Sequence, residues 1–283
     1  MAPHNDTYRP KEFFCGAGAA FTNISITFPI NKVMFRQQLH GINVYRAVGQ
    51  LKKEGLWCLY RGYLPPLAQK TTSMSIMFGM FDHYKKYLSE NTNWSSLTRD
   101  VTAALMAGSI EALLCPFERI QTLMLDKQYY GHFRNTAHAS MELMSYGARE
   151  YYRGFSCILL RNGPSNVAFF LCRKPIKDMF PKSDSEIGNT CQDFVSGAVL
   201  GASISTVFYP LNVVKTRMQS TMGGEFIGMI DAFNIVFMER NRRWSKMFRG
   251  VNVNFTRSLL SWGIINASYE IYSKHIPDDF LLD

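Results

Sequence analysis

Long uncharged stretches alternate with short basic segments along this chain. Phe13–Asn31 and Phe194–Val214 contain no Asp, Glu, Lys or Arg, and each is long enough to cross a hydrocarbon core of about 30 Å as a helix. Four comparable stretches contain one charged residue each: Tyr63–Phe81 with Lys70, Val101–Phe117 with Glu111, Phe155–Cys172 with Arg161, and Val251–Tyr269 with Arg257. Because the mean hydropathy is only −0.10, we expect these helices to be amphipathic and to surround a polar interior.

One pattern occurs three times. The segment TFPINKVMFRQQ around Pro29 is matched by LCPFERIQTLML around Pro116 and by FYPLNVVKTRMQ around Pro210. Each copy is followed by an aromatic residue, arginine and glycine, ending at Gly62, Gly154 and Gly250. Pairs of small residues, whose spacing favours close helix packing, precede the prolines: Gly16 and Ala20, Ala103 and Ala107, Gly197 and Gly201. The pattern predicts one domain, 1–283, of three repeats (about 11–95, 96–187 and 188–275), each with two long helices around a short one.

Composition narrows the classes of function. The chain has 31 Lys and Arg against 22 Asp and Glu, a net charge of +9, which favours nucleic acid, an anionic membrane surface or a small anionic substrate as partner. Nucleic-acid binding is disfavoured because the cations follow the repeats and the uncharged helices would have no role. The six cysteines and six histidines form no metal-binding or catalytic pattern, so we expect no metal, no bound cofactor, no enzymatic activity, and mostly packed, reduced thiols.

The three copies of proline followed by acidic and basic positions, each with its later aromatic-Arg-Gly, resemble the mitochondrial carrier family over residues 11–275. The resemblance implies an all-α membrane protein with six transmembrane helices, pseudo-threefold symmetry, three short matrix helices and both termini in the intermembrane space. It also implies a monomer in the mitochondrial inner membrane, among lipids such as cardiolipin. Transport would alternate between opening to the cytosol and opening to the matrix.

In this family the proline kinks the first helix of each repeat. The acid two residues after one proline pairs with the base five residues after the next, which closes the matrix side. After Pro29, Pro116 and Pro210 these positions are Asn31 and Met34, Glu118 and Gln121, and Asn212 and Lys215. The resemblance therefore implies a weak matrix gate with one ion pair, between Glu118 and Lys215.

The opposite, cytosolic gate is implied by the same resemblance. It corresponds to Asp82 and Lys85 in the first repeat, Lys177 in the second and Glu270 in the third. Two pairs between repeats would follow, Asp82 with Lys177 and Glu270 with Lys85. We therefore expect this gate to hold more ion pairs than the matrix gate.

Three cations are predicted to lie at one depth between the gates. Lys70, Arg161 and Arg257 follow the glycines of the three Arg-Gly motifs by seven or eight residues, which places them at nearly one level in helices that rise 1.5 Å per residue. A charge at mid-membrane costs at least ~3 kcal/mol on insertion scales, so it normally faces a cavity. The family's substrate contact points correspond to Gln69 with Lys70, Arg161 with Asn162, and Arg257 with Ser258.

Glu111 adds a negative charge to this set. NAD+ has an anionic pyrophosphate and a cationic nicotinamide ring, so three cations and one carboxylate suit it better than a dicarboxylate. The other interpretation is that Glu111 neutralises one of the cations. The finer sequence also resembles the NAD-transporting branch of the family, so we expect import of NAD+, the alternative being another nucleotide-type cofactor or an anionic metabolite. Candidates for stacking on adenine are Phe78, Phe169 and Trp262.

Overall fold

The computed structural model describes residues 10–55, 59–179 and 186–275, which are mostly helical and contain no β-strand in these three ranges. The α-helices are α1 (Pro10–His40), α2 (Val44–Glu54), α3 (Leu64–Asn91), α4 (Ser96–Glu111), α5 (Cys115–Leu125), α6 (Thr136–Ser145), α7 (Phe155–Asp178), α8 (Glu186–Val207), α9 (Tyr209–Gln219), α10 (Met229–Glu239), α11 (Trp244–Met247) and α12 (Val251–His275). Short 3-10 helices lie at Ala112–Leu114, Lys127–Tyr129 and Ala148–Tyr152.

The long helical elements form a ring. They are α1 and α3 in the first repeat, α4 continued by α5 and then α7 in the second, and α8 continued by α9 and then α12 in the third. Around the ring, α3 packs on α4, α4 on α7, α7 on α8, α8 on α12, α12 on α1, and α1 on α3. At one end α9 also contacts both α1 and α5; we call this the closed end. The ring therefore surrounds a central space that narrows toward the closed end.

Small residues bring α4 and α7 close together. Ala103 and Ala107, predicted as packing positions, are fully buried against a cluster that includes Phe81. A Cβ atom added at Gly108 would lie only 2.8 Å from backbone atoms of Asn162 and Gly163. Because real Cβ contacts are longer than this, only glycine permits the observed approach.

The three prolines act differently. Pro116 lies in the first turn of α5, after the 3-10 turn Ala112–Leu114. Pro210 lies in the first turn of α9, where the helix bends by 61° after Val207. Pro29, in contrast, lies inside the continuous helix α1. A proline removes one N–H donor and crowds the preceding turn, and α1 accommodates this without losing helical structure, whereas the other two elements are interrupted.

Apolar length alone identifies fewer membrane spans than the six expected. Among the described helices, Ser96–Leu125 is long and apolar enough to cross a membrane, with a mean hydropathy of 1.3 over its best window. The bent pair Val195–Val207 and Tyr209–Gln219 adds a second if it is one span. The uncharged stretch in α1 contains polar residues such as Asn23 and Thr27, which lower its hydropathy. Polar residues on the inner faces of the ring therefore lower the mean hydropathy of the other long elements below that of a typical membrane span.

Each arginine of the three Arg-Gly motifs binds a loop of the next repeat, and we call these contacts the arginine clasps. In every case guanidinium nitrogens donate to backbone carbonyls that follow the first long element of that repeat. The bonds run from Arg61 to Tyr129 (3.1 Å) and Phe133 (2.5 Å), from Arg153 to Gly223 and Gly224 (3.0 Å each), and from Arg249 to Gly41 (2.5 Å). The third clasp returns to the first repeat, so the clasps form a closed cycle.

The second clasp includes a buried ion network that the repeat pattern did not predict. Glu150 accepts hydrogen bonds from Arg153 at 2.7 Å and from Arg119 at 3.0 Å, and all three residues are almost fully buried. Arg119 also donates to the carbonyl of Thr221 at 2.7 Å. Arg119 immediately follows Glu118 in sequence, so the network fixes the start of α5 beside the central space.

Candidate functional site

A cavity of about 430 Å³ lies at the centre of the ring, lined by all six long elements. The three cations Lys70, Arg161 and Arg257 line it together. The other lining residues that were singled out from the sequence are Gln69, Glu111, Asn162, Asn31, Glu118, Gln121, Asn212 and Lys215. Residues expected in the substrate site and residues expected in the matrix gate therefore share one continuous cavity.

Arg161 uses each of its guanidinium nitrogens. Its Nε donates to Asn162 Oδ1 at 2.9 Å, one terminal nitrogen donates to Asn212 Oδ1 at 2.9 Å, and the other donates to Glu118 Oε1 at 2.8 Å. Asn162 is buried and lies on the same helix, whereas Asn212 lies on α9 of the next repeat. Arg161 thus links the wall of the cavity to its closed end.

The carboxylate of Glu118 collects one donor from each repeat. Gln69 Nε2 donates to Oε1 at 2.7 Å, Arg161 donates to the same oxygen at 2.8 Å, and Lys215 Nζ donates to Oε2 at 2.7 Å. Glu118 is only 6% exposed. Charge-assisted hydrogen bonds of this length are among the stronger polar contacts in proteins. The three repeats are therefore bound together at a single side chain.

Lys70 and Arg257 are less engaged than Arg161. Neither has a carboxylate within 4 Å among the side chains that the structure describes. Arg257 donates to Asn254 Oδ1 at 3.3 Å, and the Asn254 amide donates to the Ser205 hydroxyl at 2.5 Å. Lys70 and Arg257 therefore line the cavity without a direct carboxylate partner among the described side chains.

Glu111 lies in the cavity between two polar partners. Ser73 donates its hydroxyl to Oε1 at 2.5 Å, and the amide of Asn166 is 3.4 Å from Oε2. Ser73 belongs to the first repeat, whereas Glu111 and Asn166 both belong to the second, so the bond from Ser73 crosses an interface between repeats. No Lys or Arg of the described part of the chain lies within 4 Å of it, so its charge has no direct ionic partner there.

Several of these partners were not singled out from the sequence, although their spacing from predicted site residues follows the helical repeat. Ser73 follows Lys70 by three residues, Asn166 follows Asn162 by four, and Asn254 precedes Arg257 by three. Residues three or four apart share a helix face. Each lies one turn from a residue that was predicted to contact substrate, so a search of neighbouring turns would have found them.

The closed end combines ionic and neutral contacts. Besides the pair of Glu118 with Lys215, the Thr216 hydroxyl donates to Gln38 at 3.3 Å and the Thr122 hydroxyl to Gln219 at 3.2 Å. Asn31 and Gln121, which stand at gate positions without charge, line the cavity just inside this end. The closure is therefore mostly made by amides and hydroxyls.

At the other end, Lys85 has a partner that the repeat pattern did not suggest. Its Nζ lies 2.9 Å from Asp100 Oδ1 on the neighbouring helix α4, and 5.6 Å from the ring centre of Phe81. Asp82 is exposed to solvent. The side chains of Lys177 and Glu270 lie outside the described residues, so the two pairs expected there stay predictions.

Two further expectations concern aromatic residues and thiols. Phe169 lines the cavity, while the side chains of Phe78 and Trp262 lie outside the described set. Cys115 and Cys157 are buried free thiols and Cys172 is an exposed one. No cluster of His, Cys, Asp and Glu able to hold a metal occurs in the portion of the chain that is described.

Comparison with known proteins agrees with this architecture. The profile of the family described as "Mitochondrial carrier protein" matches residues 6–92, 93–184 and 188–280. A mitochondrial nicotinamide adenine dinucleotide transporter of Homo sapiens is 45% identical over 98% of this chain and 93% of its own length. Its counterpart in Mus musculus is 46% identical over 93% of this chain and 89% of its own. Solute carrier family 25 member 53 of Homo sapiens is 33% identical over 96% and 90%. With three tandem copies of the family sequence covering nearly its whole length, the chain belongs to the mitochondrial carrier protein family.

Proposed function

We propose that this chain is a mitochondrial inner-membrane carrier, not an enzyme, that imports NAD+ into the matrix by alternating access. The observation that carries the proposal is a cavity lined by the three cations Lys70, Arg161 and Arg257 and by a carboxylate, Glu111, that is separate from the pair of Glu118 with Lys215. The names of the relatives that are 45% and 46% identical, which specify nicotinamide adenine dinucleotide transport, support the choice of substrate.

The charges of the cavity match the two charged groups of NAD+, the anionic pyrophosphate at its centre and the cationic nicotinamide ring at one end. Lys70 and Arg257 have no carboxylate within 4 Å among the described side chains and would bind the pyrophosphate, together with Arg161. Glu111, held by Ser73 and Asn166, would face the cationic nicotinamide ring. NAD+ is thus the transported substrate and no bound cofactor is required.

The ring of long elements supports six membrane spans in a single domain. Large apolar side chains point outward, for example Phe21 (53% exposed), Leu105 (41%) and Leu113 (55%), as expected of a lipid-facing surface. An apolar groove of about 530 Å³ between α1, α2 and α12, with Lys52 at its edge, suits the acyl chain of an anionic lipid such as cardiolipin. The six long elements of one chain together line the central cavity, so the proposed monomer needs no second copy to form it.

The closed end corresponds to the matrix side in this proposal. The structure would then represent a carrier that is shut toward the matrix by Glu118 with Lys215 and by the neutral contacts of Thr216 with Gln38 and Thr122 with Gln219. The uncharged gate positions Asn31, Gln121 and Asn212 line the cavity. At the cytosolic end Asp82, Lys85, Lys177 and Glu270 would pair after the substrate enters. Lys85 would have to leave Asp100 to do so.

Uptake of radiolabelled NAD+ into proteoliposomes tests the proposal. We expect saturable uptake that is inhibited by excess unlabelled NAD+ more strongly than by nicotinamide mononucleotide, nicotinamide, ADP or FAD. Arg161→Ala should reduce uptake at least ~10-fold because a buried guanidinium is lost, whereas Arg134→Ala, at an exposed site outside the cavity, should have no effect. Saturable uptake of ADP or of a dicarboxylate, without uptake of NAD+, would refute NAD+ as the substrate.

A further inference from the structure

Glu118, which pairs with Lys215 at the closed end, also forms an ion pair with Arg161 of the proposed substrate site. Glu118 Oε1 accepts from Arg161 and from Gln69, while its other oxygen, Oε2, accepts from Lys215. The two oxygens of one carboxylate therefore have different partners. Oε1 bonds to two residues of the proposed substrate site, and Oε2 bonds to the base of the proposed gate.

Glu118 already meets the charge of Arg161 directly. Three of the five N–H donors of the guanidinium group bond to Asn162, Asn212 and Glu118, which leaves two N–H donors, so an anion faces the full charge of Arg161 only if it displaces Glu118. Glu118 is the one anionic partner among the three, so an anionic ligand can replace it and still neutralise the charge of Arg161. Lys70 and Arg257, which have no carboxylate within 4 Å among the described side chains, require no such exchange.

We propose that Glu118 is a specificity-determining residue: it competes with the ligand for Arg161 and so admits phosphate-class anions in preference to carboxylates. The inference rests on the proposed function and concerns the same cavity. A tethered carboxylate faces Arg161 at a high effective concentration, so a free carboxylate of equal charge gains little by replacing it. A phosphate or pyrophosphate group has more charge and more acceptor oxygens, and it replaces Glu118 with a net gain.

Glu118→Gln removes the competing charge while keeping the shape of the side chain. Binding to the purified carrier in detergent is measured by the ligand-dependent rise of its melting temperature, which does not depend on transport. The probes are succinate, AMP and NAD+. We expect the apparent Kd for succinate to fall at least ~10-fold in this variant, because the internal competitor is gone, and the Kd for NAD+ to change much less. Glu118→Asp, which keeps the charge but draws it back from Arg161, should give an intermediate shift.

Lys215→Gln is the matched control, because it breaks the contact at Oε2 and leaves Arg161 bound at Oε1. It should weaken the gate as Glu118→Gln does, without improving succinate binding. Equal gains in the two variants, or no gain in Glu118→Gln and Glu118→Asp when both are folded, would overturn the inference. Failure of the native chain to bind NAD+ while Glu118→Gln still gains succinate binding would refute the proposed substrate and leave the competition by Glu118 standing.

Discussion

At the scale of single residues, we expect Glu111 to be the group that separates NAD+ from ligands that are only anionic. It accepts from Ser73 and Asn166 and faces the cavity with no Lys or Arg within 4 Å among the described residues. Glu111→Gln keeps an acceptor oxygen for Ser73 but removes the charge that we propose faces the nicotinamide ring. We expect NAD+ affinity to fall ~10-fold, about 1.4 kcal/mol, as measured by competition in proteoliposomes.

The same substitution should leave the affinity for ADP unchanged or improved, because ADP has no cationic ring and is repelled by the carboxylate. Glu90→Gln, at an exposed acid outside the cavity, controls for a general effect of net charge. An equal loss of affinity for ADP and for NAD+ would instead support the interpretation that Glu111 neutralises one of the cations.

Sequence patterns located the charged residues that line the cavity and the pair of Glu118 with Lys215, but not the other partners of these residues. Repeat positions placed Arg161 in the substrate site and Glu118 in the gate, and the structure joins the two at 2.8 Å. Matching equivalent positions in the three repeats assigns these two residues to different sites. Both side chains are long enough to reach from one site to the other. Lys85 and Asp100 are a second case, since the contact depends on how two adjacent helices face each other.

At the scale of helices, the close approach of α4 and α7 depends on Gly108. Alanine normally stabilises a helix relative to glycine by about 1 kcal/mol, but a Cβ at this position would lie 2.8 Å from the backbone of Asn162 and Gly163. We expect Gly108→Ala to lower the melting temperature by several degrees, because overpacking costs about 1–3 kcal/mol. Differential scanning fluorimetry of the purified carrier measures the change.

Gly79→Ala provides the matched comparison, because a Cβ there would meet nothing within 4 Å. Both changes add one methyl group inside a helix, so their difference isolates the contact with α7. Equal melting temperatures for the two variants would show that the helices separate without cost.

The helical elements themselves could largely be predicted, because uncharged length and repeated prolines mark them directly. The interruptions could not. Pro116 and Pro210 begin new helices, whereas Pro29 lies within α1. Pro29 removes one hydrogen bond inside a continuous helix, whereas Pro116 and Pro210, in the first turn of a helix, remove none. Whether a helix continues past its proline depends on packing by other repeats, which is not encoded near the proline.

At the scale of the whole molecule, the population of the two end states should depend on Lys215. Lys215→Ala removes the ionic contact at Oε2 of Glu118, and no second carboxylate–ammonium pair at this end of the described structure replaces it in the cavity. We expect the closed end to open about tenfold more often, a shift of about 1.4 kcal/mol. Hydrogen–deuterium exchange of residues 121–125 measures the opening.

Exchange should increase at the closed end and stay unchanged in the contact between α4 and α7. Transport at low substrate concentration should change with it, because the gate moves in every cycle. Native exchange and native transport in Lys215→Ala would show that the amide and hydroxyl contacts alone hold the closed end.

The arginine clasps also make the first repeat depend on the far end of the chain. Arg61 and Arg153 each bind a loop of the repeat that follows them. Gly41, however, accepts from Arg249, which lies 208 residues further along the chain. A chain shortened before the third Arg-Gly motif would therefore leave the first loop without its arginine.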